Sequence, residues 1–257
     1  MMRRVLCAVL MLTFLAAPAV VQAQQDEEPV RPFIYATYYQ CDIADQEMAD
    51  MIWKTVQAPI YDAAVDDGTI AGWGWLVHHT GGKWRRASYY VAPTIEALLA
   101  AQETLGERVD QADSQAAARF SRICGAHDDY IWQSVTGSGG EGSIAVAKSG
   151  EAGVSQYMVC KMSQQDRADE LVKTVFAPIY DGLVADGKLS GWGWLEHSVG
   201  GEYRRLFTLR GADDLSVLDA WSDAINQMNE NHEAEMKELN DICYTHQDYI
   251  WDIAHRK

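Results

Sequence analysis

A chain of 257 residues with 37 acidic and 21 basic side chains carries a formal charge of −16, which repels phosphate backbones and argues against a nucleic-acid partner. Its 48% hydrophobic content, with 9 Trp and 12 Tyr, is ample for two packed cores and excludes a disordered polymer.

The N-terminus reads as a signal peptide over residues 1–23. Met1-Met2-Arg3-Arg4 is a basic start, Val5 to Val21 an apolar run interrupted by Pro18, and Val21-Gln22-Ala23 a small-x-small cleavage site. Its removal takes away Arg3 and Arg4 and moves the formal charge from −16 to −18. The mature protein is therefore expected to be exported, periplasmic or secreted, with no stable membrane insertion. Residues 24–32 form an acidic segment expected to be disordered.

Beyond it the sequence repeats itself. A constant shift of 119 carries Cys41 onto Cys160, Gly72-Trp73-Gly74-Trp75-Leu76 onto Gly191-Trp192-Gly193-Trp194-Leu195, and Cys124 onto Cys243. A unit of about a hundred residues is a whole domain rather than a solenoid repeat. Phe33 to Gln40 reads as a first strand, with Val154 to Val159 as its counterpart. A helix follows, with Met48, Ile52, Val56 and Ile60 recurring every four residues and Ser163 and Asp166 as a capping pair. Pro59 and Pro178 are expected to kink it, and Gly68 and Gly187 to end it. Ile70 to His79 reads as a strand, Gly81-Gly82 and Gly200-Gly201 as hairpin turns, and Trp84 to Ala92 as the returning strand. A long helix is expected from about Thr94 to Ile123, matched by a stripe at Leu218, Trp221, Ile225, Met228, Met236 and Leu239. Asp129 to Trp132 and Asp248 to Trp251 each read as a short last strand or a final helical turn.

The order β-α-β-β-α-β is the ferredoxin-like split arrangement, placing one α+β repeat at 33–135 and another at 154–257, joined by a Gly/Ser-rich linker at 136–153. Loss of Cys7 leaves four of the five cysteines, an even number in an oxidising compartment, hence two disulfides. Three connectivities are possible, and the repeat favours Cys41–Cys124 with Cys160–Cys243. In the split arrangement the end of the first strand lies beside the start of the last, where these cysteines sit.

The strongest local signal is Gly72 to His78, copied at Gly191 to His197. In a strand Trp73 and Trp75 share one face, while Gly72, Gly74, Leu76 and His78 share the other. Two readings stay open: tryptophans packed in a core beside a closely approaching helix, or an aromatic-walled pocket holding His78 and His197. Arg85-Arg86 and Arg204-Arg205 follow the hairpin; one arginine of each pair either clamps an anion or makes a structural ion pair. His127 and His246 follow a cysteine by three residues and are expected to hold a loop, because a disulfide consumes the sulfur a metal would need. No metal site is expected. Tyr61-Asp62 and Tyr180-Asp181 are either acid–base pairs or structural. Gly-x-Ser-x-Gly, His-Glu-x-x-His, phosphate-loop and dinucleotide fingerprints are all absent.

Two such units, each with a Gly-Trp-Gly-Trp-Leu-x-His strand, a Gly-Gly turn and an Arg-Arg return, resemble the dimeric α/β-barrel superfamily, which includes antibiotic-biosynthesis-type monooxygenases. The resemblance implies an intrachain pseudo-dimer of antiparallel sheets with helices packed outside, as a monomer or a higher oligomer. A disulfide in each unit and an exported location depart from that family's usual members. Three functions compete. The first is binding of a small aromatic or anionic molecule by Trp73, Trp75, His78 and Arg86 in one repeat and by Trp192, Trp194, His197 and Arg205 in the other. The second, implied by the resemblance, is a monooxygenase-like enzyme, cofactor-free or haem-linked, with His78 or His197 as the first haem ligands. The third is a structural or interaction module without a small-molecule site.

Overall fold

A computed structural model describes residues 31–138 and 151–257. The signal peptide, residues 24–30 of the acidic segment and residues 139–150 of the linker lie outside the described residues.

In chain order the first half comprises β1 (Phe33–Gln40), α1 (Gln46–Ile52), α2 (Ala58–Asp66), β2 (Gly72–Gly81), β3 (Arg86–Ala92), α3 (Ile95–Ile123) and β4 (Ala126–Ser138). The second comprises β5 (Ala152–Cys160), α4 (Gln165–Leu171), α5 (Ala177–Ala185), β6 (Gly191–Val199), β7 (Arg205–Gly211), α6 (Asp214–Asn231), α7 (Glu233–Ile242) and β8 (Cys243–Arg256). The residues at 136–138 and 152–153, read from the sequence as linker, are the ends of β4 and β5.

The expectation of a pair of ferredoxin-like sheets is overturned. All eight strands form one closed barrel in the order β1-β3-β2-β8-β5-β7-β6-β4, every neighbour antiparallel. The reason lies in the last strand of each half, which is neither four residues long nor a helical turn. β4 runs for 13 residues and β8 for 14. The first part of β4 pairs with β1, from Ala126 opposite Gln40 to Gln133 opposite Phe33; its later part crosses to β6, ending with Ser138 opposite Trp192. β8 does the same between β5 and β2, and Trp73 and Lys257 exchange both backbone hydrogen bonds at its far end. Closure leaves no open sheet edge to satisfy.

Alternation along the strands builds two environments. Inward residues such as Tyr38, Tyr130, Trp132, Tyr157, Tyr249 and Trp251 fill the barrel. Outward ones, including Trp73, Trp75 and Tyr90, pack with Trp53, Leu98 and Phe120 from the surrounding helices, and a matching cluster covers the second half.

The helix expected to kink at Pro59 instead widens just before it. Residues Trp53–Gln57 form a π-helical turn in which the Ala58 N–H reaches the Trp53 carbonyl, and Pro59 then falls in the first turn of α2. A proline has no N–H for the carbonyl four residues back, and the wider turn relocates that mismatch without breaking the helix. The same turn recurs at Val172–Phe176 before Pro178. α3 bends at Asp113, whose extended backbone (φ −160°) is capped by its own carboxylate taking the Gln115 and Ala116 N–H groups. Cys41–Cys124 and Cys160–Cys243 are disulfide-bonded, each joining residues 83 apart.

Candidate functional site

The tryptophans of β2 face the helices and are held by carboxylates. Trp73 Nε1 donates to Asp62 at 3.0 Å and Trp75 Nε1 to Asp50 at 3.0 Å. Arg86, the arginine of its pair that turns to the same face, grips Asp50 with two bonds of 2.6 Å and also donates to Gln46. The second half repeats this, with Trp192 on Asp181, Trp194 on Asp169, and Arg205 bidentate on Asp169 at 2.6 and 2.8 Å. The guanidinium is buried and both carboxylate oxygens are used, so the trio clamps α1 (or α4) to the sheet.

His78 and His197 are not with them. Both point to the barrel side of their strands, edge-on to Tyr249 and Trp251 and to Tyr130 and Trp132 respectively. Their Nε2 atoms lie 3.4 and 3.3 Å from Nη1 of Arg85 and Arg204. Burial first, and that guanidinium second, pull both imidazoles below the ordinary histidine range. Thus Trp75 and Arg86 are brought together through Asp50, but His78 lies on the opposite face; Trp194, Arg205 and His197 divide the same way. Neither histidine fits a haem iron: each has a cation against its Nε2, and neither borders any of the three cavities described in this protein. The glycines beside them serve neither a helix nor an obvious ligand. A Cβ on Gly74 would lie 2.3 Å from the Tyr89 ring, so that face makes room for a neighbouring strand's side chain.

The open space lies on the helix side. In the first half a cavity of about 350 Å³ separates the sheet from α2 and α3. Tyr35, Tyr39, Ser88 and Tyr90 form its floor; Gln57, Tyr61, Gln102 and Gly106 form its roof. Tyr35 accepts from Gln102 at 2.9 Å, and the Tyr39 and Ser88 hydroxyls are 3.2 Å apart. Neither the Tyr61 hydroxyl nor the amide of Gln57, itself 7% exposed, has a hydrogen-bond partner among the described residues. Burial raises every one of these phenols, Tyr39 to about 12, so all are neutral donors at physiological pH. At the rim, His127 Nδ1 sits 3.1 Å from an Asp129 carboxylate oxygen.

The matching cavity of the second half, about 270 Å³, has different walls. Met158, Phe176, Phe207 and Met228 stand where the first half has Tyr39, Gln57, Ser88 and Val109. Tyr180 and the rim pair His246–Asp248, at 2.9 Å, keep their polar character, and Gln156 and Asn240 stand where the first half has Thr37 and Ser121. Of the sequence candidates, Tyr61 and His127 border the first cavity, whereas Asp62 holds Trp73. Tyr35, Tyr39, Tyr90 and Gln57 went unread, although Tyr35-Ala36-Thr37-Tyr38-Tyr39 against Val154-Ser155-Gln156-Tyr157-Met158 already shows two tyrosines of one strand face replaced by apolar side chains.

Elsewhere the two halves diverge at the seams. Glu196, at the position of Val77, pairs with Arg31, and His79 lies 3.3 and 3.6 Å from Asp214 and Asp252 on an exposed surface.

Three solved structures share this architecture. They are a candidate monooxygenase from Fusobacterium nucleatum (TM-score 0.60, 10% identity, 89% of this chain and 94% of that one) and another from Lactobacillus acidophilus (TM-score 0.58, 9% identity, 86% and 93%). The third is an anthrone oxidase-like protein (TM-score 0.53, 11% identity, 90% and 94%). At such identities the likeness is one of fold alone, here an eight-stranded barrel closed within a single chain. No family model matches the sequence, and no curated protein is similar to it.

Proposed function

We propose that this protein binds a small hydroxylated aromatic molecule of one or two rings in the first-half cavity between sheet and helices. The observation that carries this reading is the half-buried Tyr61 side chain and the buried Gln57, whose hydroxyl and amide have no hydrogen-bond partner among the described residues and border a cavity of about 350 Å³ with three more phenol rings on its walls. Ligand sites combine such an apolar aromatic surface with a few convergent polar groups. Because the phenols are neutral, they suit hydroxyl and carbonyl groups better than a full anion. Titration calorimetry with 2-naphthol tests it. Saturable binding is expected, weakened about 2–10-fold by Tyr61→Phe or Gln57→Leu, the worth of one hydrogen bond, and abolished by Gly106→Trp. Absence of binding, or binding unchanged in Gly106→Trp, would refute it.

The same reading takes the chain as an exported product of tandem duplication, acting as a monomer. Two disulfides support an oxidising compartment, and among the described residues no helix is long and apolar enough to cross a membrane. The closed barrel, complete in one chain, supports the monomer.

A second reading, a monooxygenase-like enzyme acting on the same class of molecule, is favoured by the His127–Asp129 pair at the cavity rim. A carboxylate on Nδ1 orients an imidazole to take a hydroxyl proton at Nε2, the first step in making a phenol reactive. It predicts oxygen uptake with a hydroxylated aromatic, lost in His127→Gln while binding persists.

A further inference from the structure

A third cavity, of about 200 Å³, lies inside the barrel, away from the helix-side site. Its origin can be read residue by residue. In the first half the Tyr89 ring fills the space beside Gly74; at the matching position of the second half Thr208 stands beside Gly193, a side chain without a ring. Gly153 likewise replaces Ile34. A phenol and a branched butyl group are therefore missing from one side of an otherwise filled lumen, and the void is walled by Ala36, Tyr38, Trp132, Tyr157, Leu206 and Trp251.

Its hydrogen bonding is as unequal as its shape. Trp132 donates its Nε1–H to the Tyr38 hydroxyl at 3.3 Å. Trp251, the counterpart of Trp132, is 1% exposed and borders the void, yet its Nε1–H has no acceptor. A buried donor without a partner is uncommon and marks a missing acceptor. Aromatic walls offer edge and face contacts to another ring. A void of roughly 150 Å³ with apolar walls stays dry and takes up benzene, so this one is large enough for a single substituted ring.

We propose that the barrel lumen is a second binding site, for a neutral one-ring aromatic molecule bearing a carbonyl or ether acceptor for Trp251 Nε1–H. The proposal is independent of the helix-side site: it uses the other face of the sheet and different side chains. Cations are excluded because no carboxylate among the described residues borders the void, and the charged side chain on its wall, Arg210, already has partners of its own, so a neutral ligand is the one that keeps its hydration cost low.

Acetophenone is the probe, followed by calorimetry and by the indole N–H resonances of isotope-labelled full-length mature protein. One molecule per chain is expected, with a shift of the Trp251 N–H signal. Thr208→Tyr, which restores the ring found at Tyr89, should weaken binding more than tenfold, and Trp251→Phe about fivefold. Gly106→Trp, which blocks the helix-side cavity, should leave acetophenone binding intact, so that failure of one site is distinguishable from failure of the other. Should Thr208→Tyr not fold, Gly153→Ile fills the same void from β5. No binding, binding indifferent to the filling variants, or an ordered water on Trp251 Nε1 that the probe does not displace would each overturn the proposal.

Discussion

At the scale of single residues, the most consequential contact is the one between Arg86 and Asp50. The sequence marked both Arg86 and Trp75, but nothing in their spacing showed that one carboxylate 25 residues before the tryptophan and 36 before the arginine would satisfy both. A partner supplied by another element has no local signature. Removing it leaves a buried guanidinium without its counter-charge, so Asp50→Ala should destabilise the fold by about 3–5 kcal/mol. Asp169→Ala should cost at least as much, since that carboxylate is 13% exposed against 31% for Asp50; equilibrium denaturation reads both. Two glycines give opposite expectations. Gly74→Ala drives a methyl into the Tyr89 ring and should cost about 1–3 kcal/mol. Gly182→Ala meets nothing within 4 Å in the middle of α5, where the first half already has Ala63, and should stabilise by about 0.5–1 kcal/mol.

Among elements, the two long strands decide the architecture. Tyr130-Ile131-Trp132 was legible as strand because its residues are apolar and aromatic. Gln133-Ser134-Val135-Thr136 was not, because its strand character comes from pairing with β6 of the other half rather than from its own composition. The π-helical turns were equally hidden: proline announces a disturbance but not which carbonyls absorb it. The end of β8 is the exposed weak point of closure. Deleting residues 253–257 removes both backbone bonds between Lys257 and Trp73, the pairing of β2 with Ile253, His255 and Arg256, and the Arg256–Glu151 ion pair. At about 1 kcal/mol per hydrogen bond, a loss of roughly 3–5 kcal/mol is expected. The bared β2 edge should make the truncated chain self-associate in size-exclusion chromatography, whereas a truncated chain that stays monomeric and equally stable would contradict closure by β8.

For the molecule as a whole, a repeat, its cysteines and its β-α-β-β-α-β order could be read from the chain, while the closing of eight strands into one ring could not, since closure is a property of pairing between halves. The same limit hid the cavities, which exist only where separate elements meet, helix against sheet in two of them and strand against strand inside the barrel in the third. Each disulfide closes a loop joining residues 83 apart, worth about 4–5 kcal/mol in the chain-entropy view, so thiol reduction should lower the melting temperature steeply. Acidification should act more gently. His78, His197 and His255 titrate below their unfolded value of about 6.5 because burial opposes their charge. The unfolded chain then binds more protons in that window, and stability falls as pH drops through and below about 6.5. His78→Gln with His197→Gln should flatten this part of the curve; an unchanged slope would assign it elsewhere. The most direct single measurement of function is a crystal structure of the protein grown with 2-naphthol. The helix-side cavity of the first half should hold the molecule with its hydroxyl within hydrogen-bond distance of Tyr61 or Gln57. A cavity filled by rearranged side chains, or a naphthol bound elsewhere with this cavity empty, would contradict the assignment.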